Sequence, residues 1–134
     1  MQPEGAGDWI GLSELTLLPD GSFAVIERDK GWGPTTPPNA ELKAIYGVDL
    51  ATADFRPYKN GAVNGGLVTL SKTQLRDLLP DMAAVSIWTA EKLEGLAVAA
   101  DGTVYAVTDN DGLNDATGET LFLNLGDWET AFSQ

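Results

Sequence analysis

The sequence predicts an all-β fold, and three observations point there. Short apolar runs alternate with turn residues, with 15 Gly and 7 Pro in 134 residues. Two Asp-Gly pairs, Asp20-Gly21 and Asp101-Gly102, each separate two apolar runs, the pattern of a tight hairpin. The two hairpins also align with each other without a gap.

In order along the chain, Leu12 to Leu18 reads as a first strand, ended by Pro19-Asp20-Gly21. Ser22 to Glu27 follows, apolar on both parities, as expected of a strand between two packed layers. Residues 28–41 form a long polar loop with Trp32, Pro34, Pro37 and Pro38, a length that points to function or disorder. Leu42 to Leu50 reads as a third strand and Leu67 to Leu70 as a short fourth, with a Gly- and Asn-rich stretch between them. Ser71-Lys72-Thr73-Gln74 fits a capping box, which predicts one short connecting helix through Leu79, stopped by Pro80. Leu93 to Ala99, Thr103 to Thr108 and Thr120 to Leu125 complete the strands, and residues 126–134 form a tail.

The repeat has an offset of 81 residues. Leu12/Leu93, Leu15/Leu96, Asp20/Asp101 and Gly21/Gly102 are identical. Leu17/Val98, Ser22/Thr103, Phe23/Val104 and Ile26/Val107 are conservative. Each copy reads strand, Asp-Gly turn, strand, polar loop, strand. That is the pattern of a β-propeller blade, and it divides the single domain 1–134 into blade-like repeats 11–71 and 92–126. A sandwich with two similar hairpins is the alternative. Propellers take about four to eight blades. About two therefore implies either missing blades from a longer chain or assembly of copies into a homo-oligomer.

Composition excludes several chemistries. The chain has no Cys and no His, which removes disulfides, thiolate nucleophiles, His-ligated zinc and Ser-His-Asp triads. Twenty acidic against eight basic side chains give a formal charge of −12. Nucleic acid and anionic membrane are poor partners for such a surface. No apolar run approaches a membrane span, and the first residues lack the basic and apolar regions of a secretory leader. Cations suit this balance, either directly or as recruiters of an anionic substrate.

The densest acidic segment is Asp109, Asp111, Asp115 and Glu119, with Asn110 and Asn114 among them. Hard oxygen donors at this spacing suit Ca²⁺. The EF-hand pattern fails, because Leu113, Asn114 and Thr120 stand at its key places. A solvated acidic turn is the simpler reading of the loop taken alone.

The segments Glu94-Gly95-Leu96-Ala97-Val98, Thr108-Asp109-Asn110-Asp111-Gly112 and Gly118-Glu119-Thr120 resemble the closing motifs of the phytase-like family, bacterial proteins described as having esterase-like activity of phytase. Leu17-Leu18-Pro19-Asp20-Gly21 followed by Glu27-Arg28-Asp29 resembles an earlier blade of that family, and Tyr46-Gly47-Val48-Asp49-Leu50 resembles the strand after it. The resemblance runs from about Gly11 to Gly126. It implies a secreted or periplasmic β-propeller hydrolase acting on phosphate or carboxylic esters, with calcium as the implied cofactor.

Two functional readings follow. In the first, an anionic small-molecule ester is hydrolysed with calcium held by Asp109, Asp111 and Glu119. Glu94 is then a general base or a further ligand, and Arg28 pairs with the substrate anion. In the second, the module binds or supports without turnover and calcium only stiffens its loops. For Glu27-Arg28-Asp29 the structural alternative is a locally salt-bridged strand end.

Overall fold

The computed structural model describes residues 9–53, 58–59, 62–63, 70–110 and 120–132. Strand β1 (Gly11–Leu17) and β2 (Phe23–Arg28) are joined by the first Asp-Gly turn. Leu18 N–H donates to Ser22 O (2.8 Å), and Gly21 N–H to Leu18 O (2.9 Å). Asp20 Oδ1 accepts from the Ser22 amide and hydroxyl at 2.9 and 2.7 Å, an Asx turn that fixes the corner. Strands β9 (Lys92–Val98) and β10 (Thr103–Asp109) repeat this geometry. Ala99 N–H meets Thr103 O, Gly102 N–H meets Ala99 O, and Asp101 Oδ1 takes the Thr103 amide. Thus the repeat seen in sequence is a repeat in space, down to its turn hydrogen bonds.

Further short strands are β3 (Gly33–Pro34), β5 (Tyr58–Lys59), β6 (Ala62–Val63) and β8 (Trp88–Thr89). The longer ones are β4 (Lys43–Val48), β7 (Lys72–Asp77) and β11 (Phe122–Asp127). One antiparallel sheet has the order β1-β2-β4-β7 and a second β11-β10-β9. The pairs β3-β8 and β5-β6 stand apart. Both larger sheets run in chain order, so each neighbour is reached by a simple connection.

The core lies between these two sheets. Ala24, Ile26 and Ile45 from the first meet Leu93, Leu96, Val104, Ala106, Leu123 and Leu125 from the second. Strands β1 and β9 run beside each other there, and the Thr16 hydroxyl donates to Leu96 O at 2.9 Å. Each fully buried aliphatic side chain contributes about 1.5–3 kcal/mol. Leu42, Ala44 and Tyr46 form a smaller cluster on the other face of the first sheet. No helix among the described residues is long and apolar enough to cross a membrane.

The helix differs from the sequence expectation. Residues 72–77, expected to be helical behind a Ser71 cap, form β7 and complete the first sheet against β4. The helix α1 (Leu79–Val85) begins where Pro80 was expected to stop one. Proline lacks an amide hydrogen that the first helical turn does not need, so it starts helices as readily as it ends them. Arg76 then clamps β7 to α1 through two contacts to Asp81, at 2.9 and 2.7 Å. The first repeat therefore extends past residue 71. Of the expected strand at 67–70, residues 67–69 lie outside the described residues and Leu70 is in no strand. The tail contains a second short helix, α2 (Trp128–Ala131), capped by Asp127, which accepts from the Glu129 amide at 3.0 Å.

Candidate functional site

Three consecutive charged residues at the end of β2, Glu27, Arg28 and Asp29, are all buried. Strand alternation sends Glu27 and Arg28 to opposite faces, so each needs its own counter-charge. Glu27 Oε2 accepts from Lys72 Nζ of β7 at 2.6 Å. Asp29 accepts from Lys43 Nζ of β4, a pair with no solvent exposure on either side chain. The Glu41 and Leu42 amides reach Asp29 Oδ2 at 2.7 and 3.0 Å. Lys43 Nζ also donates to the carbonyls of Asp29 and Gly31, at 3.1 and 2.9 Å.

Burial pushes the Asp29 carboxyl up, but the Lys43 ammonium and the two amides outweigh it, so its pKa lies below the ordinary 3.8. Burial pushes Lys43 below its ordinary value, and Asp29 offsets only part of that.

Arg28 points between the sheets. Its Nη2 donates to Glu94 Oε1 of β9 at 2.8 Å, and its Nε to Ser13 Oγ of β1 at 3.0 Å. Ser13 and Glu94 are equivalent in the repeat. Both sit where the hairpin register shifts, between Leu12 and Leu15 in β1 and opposite Val107/Thr108 in β9. A shift of this kind re-aims side chains at a strand edge. Here it brings both polar groups onto one guanidinium. Glu91 Oε1 lies 3.9 Å from Nη1, which is buried without a hydrogen-bond partner among the described residues. The Trp9 ring covers the group, 5.3 Å from Cζ, and Lys30 Nζ lies 5.1 Å from the same ring. Glu94 remains partly open to solvent, its side chain 38 % exposed.

Of the residues expected to act, Arg28 and Glu94 are therefore in direct contact. Glu27, Arg28 and Asp29 do not bridge one another locally; their partners come from other strands. Asp109 ends β10, exposed, and is paired in register with Lys92 of β9. Asp111 and Glu119 lie outside the described residues. Among the described residues no group of three acidic, His or Cys side chains converges as a metal would require. The described residues thus offer Asp109 alone from the expected calcium set.

Sequence reasoning missed Lys43, Lys72, Glu91 and Ser13. Lys43 had a signal: it stands between Leu42 and Ala44-Ile45, a single charge in an apolar strand. Such a residue needs a buried partner.

Comparison with curated proteins and with solved structures gives no match. The phytase-like family model, described as esterase-like activity of phytase, matches residues 1–112. That span takes in the whole first sheet, β9, β10 and the Arg28–Glu94 contact, and on it the chain belongs to the phytase-like family.

Proposed function

We propose that this chain is a hydrolase domain for phosphate or carboxylic esters, built as two blades of a β-propeller, in an exported protein. The observation that carries the reading is the Arg28–Glu94 contact between the sheets, with one guanidinium nitrogen left unpaired. Two meander sheets with superposable turns, β1 beside β9, support the blade architecture. Family membership supports the reaction class.

Arg28 supplies donors suited to an anionic ester oxygen. For Nη1 to serve, the Trp9 side of the guanidinium must open. Glu94, held by Arg28 and reachable by solvent, takes a proton from water as the water oxygen attacks phosphorus or the acyl carbon. The ester bond breaks and the leaving oxygen departs with the bonding pair. Calcium bound by Asp109, Asp111 and Glu119 would supply the positive charge that draws an anionic substrate to a −12 chain.

The test is hydrolysis of a chromogenic phosphate ester and a chromogenic acyl ester, with calcium or with chelator. Turnover that falls about 10²-fold or more in Glu94→Gln, with the fold intact, is the expected result. Asp109→Ala should lower the calcium-induced rise in melting temperature. A second reading, a non-catalytic calcium-stabilised binding module, draws on the mutual neutralisation of Arg28 and Glu94. Calcium-raised stability with no turnover on either ester would establish it over the first.

A further inference from the structure

The internal repeat makes a statement about the outer surface, independent of the hydrolase reading. Leu93 and Leu96 of β9 are 0 and 6 % exposed, packed against the first sheet. Their equivalents Leu12 and Leu15 of β1 are 60 and 54 % exposed, and Leu17 is 60 % exposed. These leucines share a sheet face with Val25 by register. A groove of about 740 Å³ runs over that face, bounded also by Val48, Leu50 and Leu70. An apolar face of this kind is built to be covered.

What covers the matching face inside the chain is known: the side of the first sheet that carries Ala24 and Ile26. Their repeat equivalents are Tyr105 and Val107 of β10, on the side of the second sheet turned away from the core. Phe122 pairs with Val107 there, is 70 % exposed, and lies 5.2 Å from the Tyr105 ring. One chain therefore exposes both halves of a contact that it already makes once internally.

We propose that a second copy of this chain is the occupant: its Tyr105/Val107/Phe122 face seats on the Leu12/Leu15/Leu17 face of the first. The two faces differ, so the contact is heterologous and leaves one free face at each end. Repetition then closes a ring or grows a filament. A net charge of −12 on every copy opposes the contact, so salt strengthens it by screening.

The test is the solution mass of the intact chain, by sedimentation or light scattering, over a concentration series at low and high salt. Concentration-dependent growth in mass, greater at high salt, is expected. Leu15→Glu and Phe122→Glu each alter an exposed side chain, and each alone should reduce the mass to that of a monomer with an unchanged circular dichroism spectrum. Mixed together, they should form a dimer, because each retains the face that the other has lost. A monomer under all conditions overturns the proposal. So does an oligomer that survives Phe122→Glu, since that result would mean a symmetric contact through β1 alone. Failure of the mixed variants to pair overturns it as well.

Discussion

Leu12 and Leu93 hold the same place in two sheets that share a strand, a turn and a register shift, yet their surroundings are opposite. Leu93 is sealed between the sheets and Leu12 stands open on the outside. The difference teaches that the hairpin pattern specifies a local form, while packing alone decides which face becomes core. The sharpest way to break the comparison is to truncate both residues. Leu93→Ala should destabilise by about 2–5 kcal/mol, through lost burial and a residual cavity. Leu12→Ala, measured by urea unfolding at a dilution where the chain is monomeric, should stay within about 0.5 kcal/mol. Equal losses would mean that the outer face is covered within the monomer.

The ends of the second strands differ in another way. Glu27-Arg28-Asp29 in the first sheet become Thr108-Asp109-Asn110 in the second. At the first of these positions, Glu27 needs Lys72, whereas the Thr108 hydroxyl is satisfied by the Leu121 amide at 2.8 Å. The first sheet thus holds an ionic core where the second holds a neutral hydrogen bond. Breaking a buried pair leaves an uncompensated charge. Lys43→Met should cost about 3–5 kcal/mol in chemical denaturation, and Asp29→Asn added to it should restore part of that loss. Asp29→Asn without recovery in the Lys43→Met background would show that Lys43 acts through its two backbone carbonyls instead.

The same pair sets an acid limit. The folded pKa of Asp29 lies below its ordinary value of 3.8, so between those two values the unfolded chain binds more protons. The stability that Asp29 contributes is complete above the ordinary value and is lost as pH falls through the lower, folded value. Melting temperature followed down through the acid range should therefore fall less steeply in Asp29→Asn than in the parent. A parallel decline in both proteins would assign the acid limit to other carboxylates.

How much of this was legible in the sequence follows from the range of the interactions involved. The Asp-Gly hairpins were readable because turn chemistry is local: Asp20 and Asp101 each bond two residues onward. Arg28 and Glu94 could be singled out as residues, but their contact spans 66 positions and required the two sheets to pack. Strand β7 was misread as a helix because Ser71 and Gln74 satisfy a local capping rule. Pairing with β4 overrode that rule by satisfying the same backbone groups between strands. Lys43 was passed over although its apolar neighbours announce burial, because the partner Asp29 comes from a loop whose path no local rule specifies.

The smallest effect probes the turns themselves. Gly21 and Gly102 adopt the same left-handed conformation, with φ of +86° and +88°. A side chain in that region costs about 1–2 kcal/mol, so Gly→Ala should destabilise at both sites by a shared amount. The surroundings then separate them. A Cβ at Gly21 meets nothing, whereas at Gly102 it comes within 3.1 Å of Asp127 Oδ2. Asp127 is the cap of α2, and the Gly102 carbonyl receives the Trp128 amide at 2.9 Å. Disturbing a cap costs about 0.5–2 kcal/mol. Gly102→Ala should therefore exceed Gly21→Ala by a fraction of that range, measured side by side in urea. Equal losses would mean that Asp127 shifts away without cost, and that the second turn differs from the first in sequence position but not in what it supports.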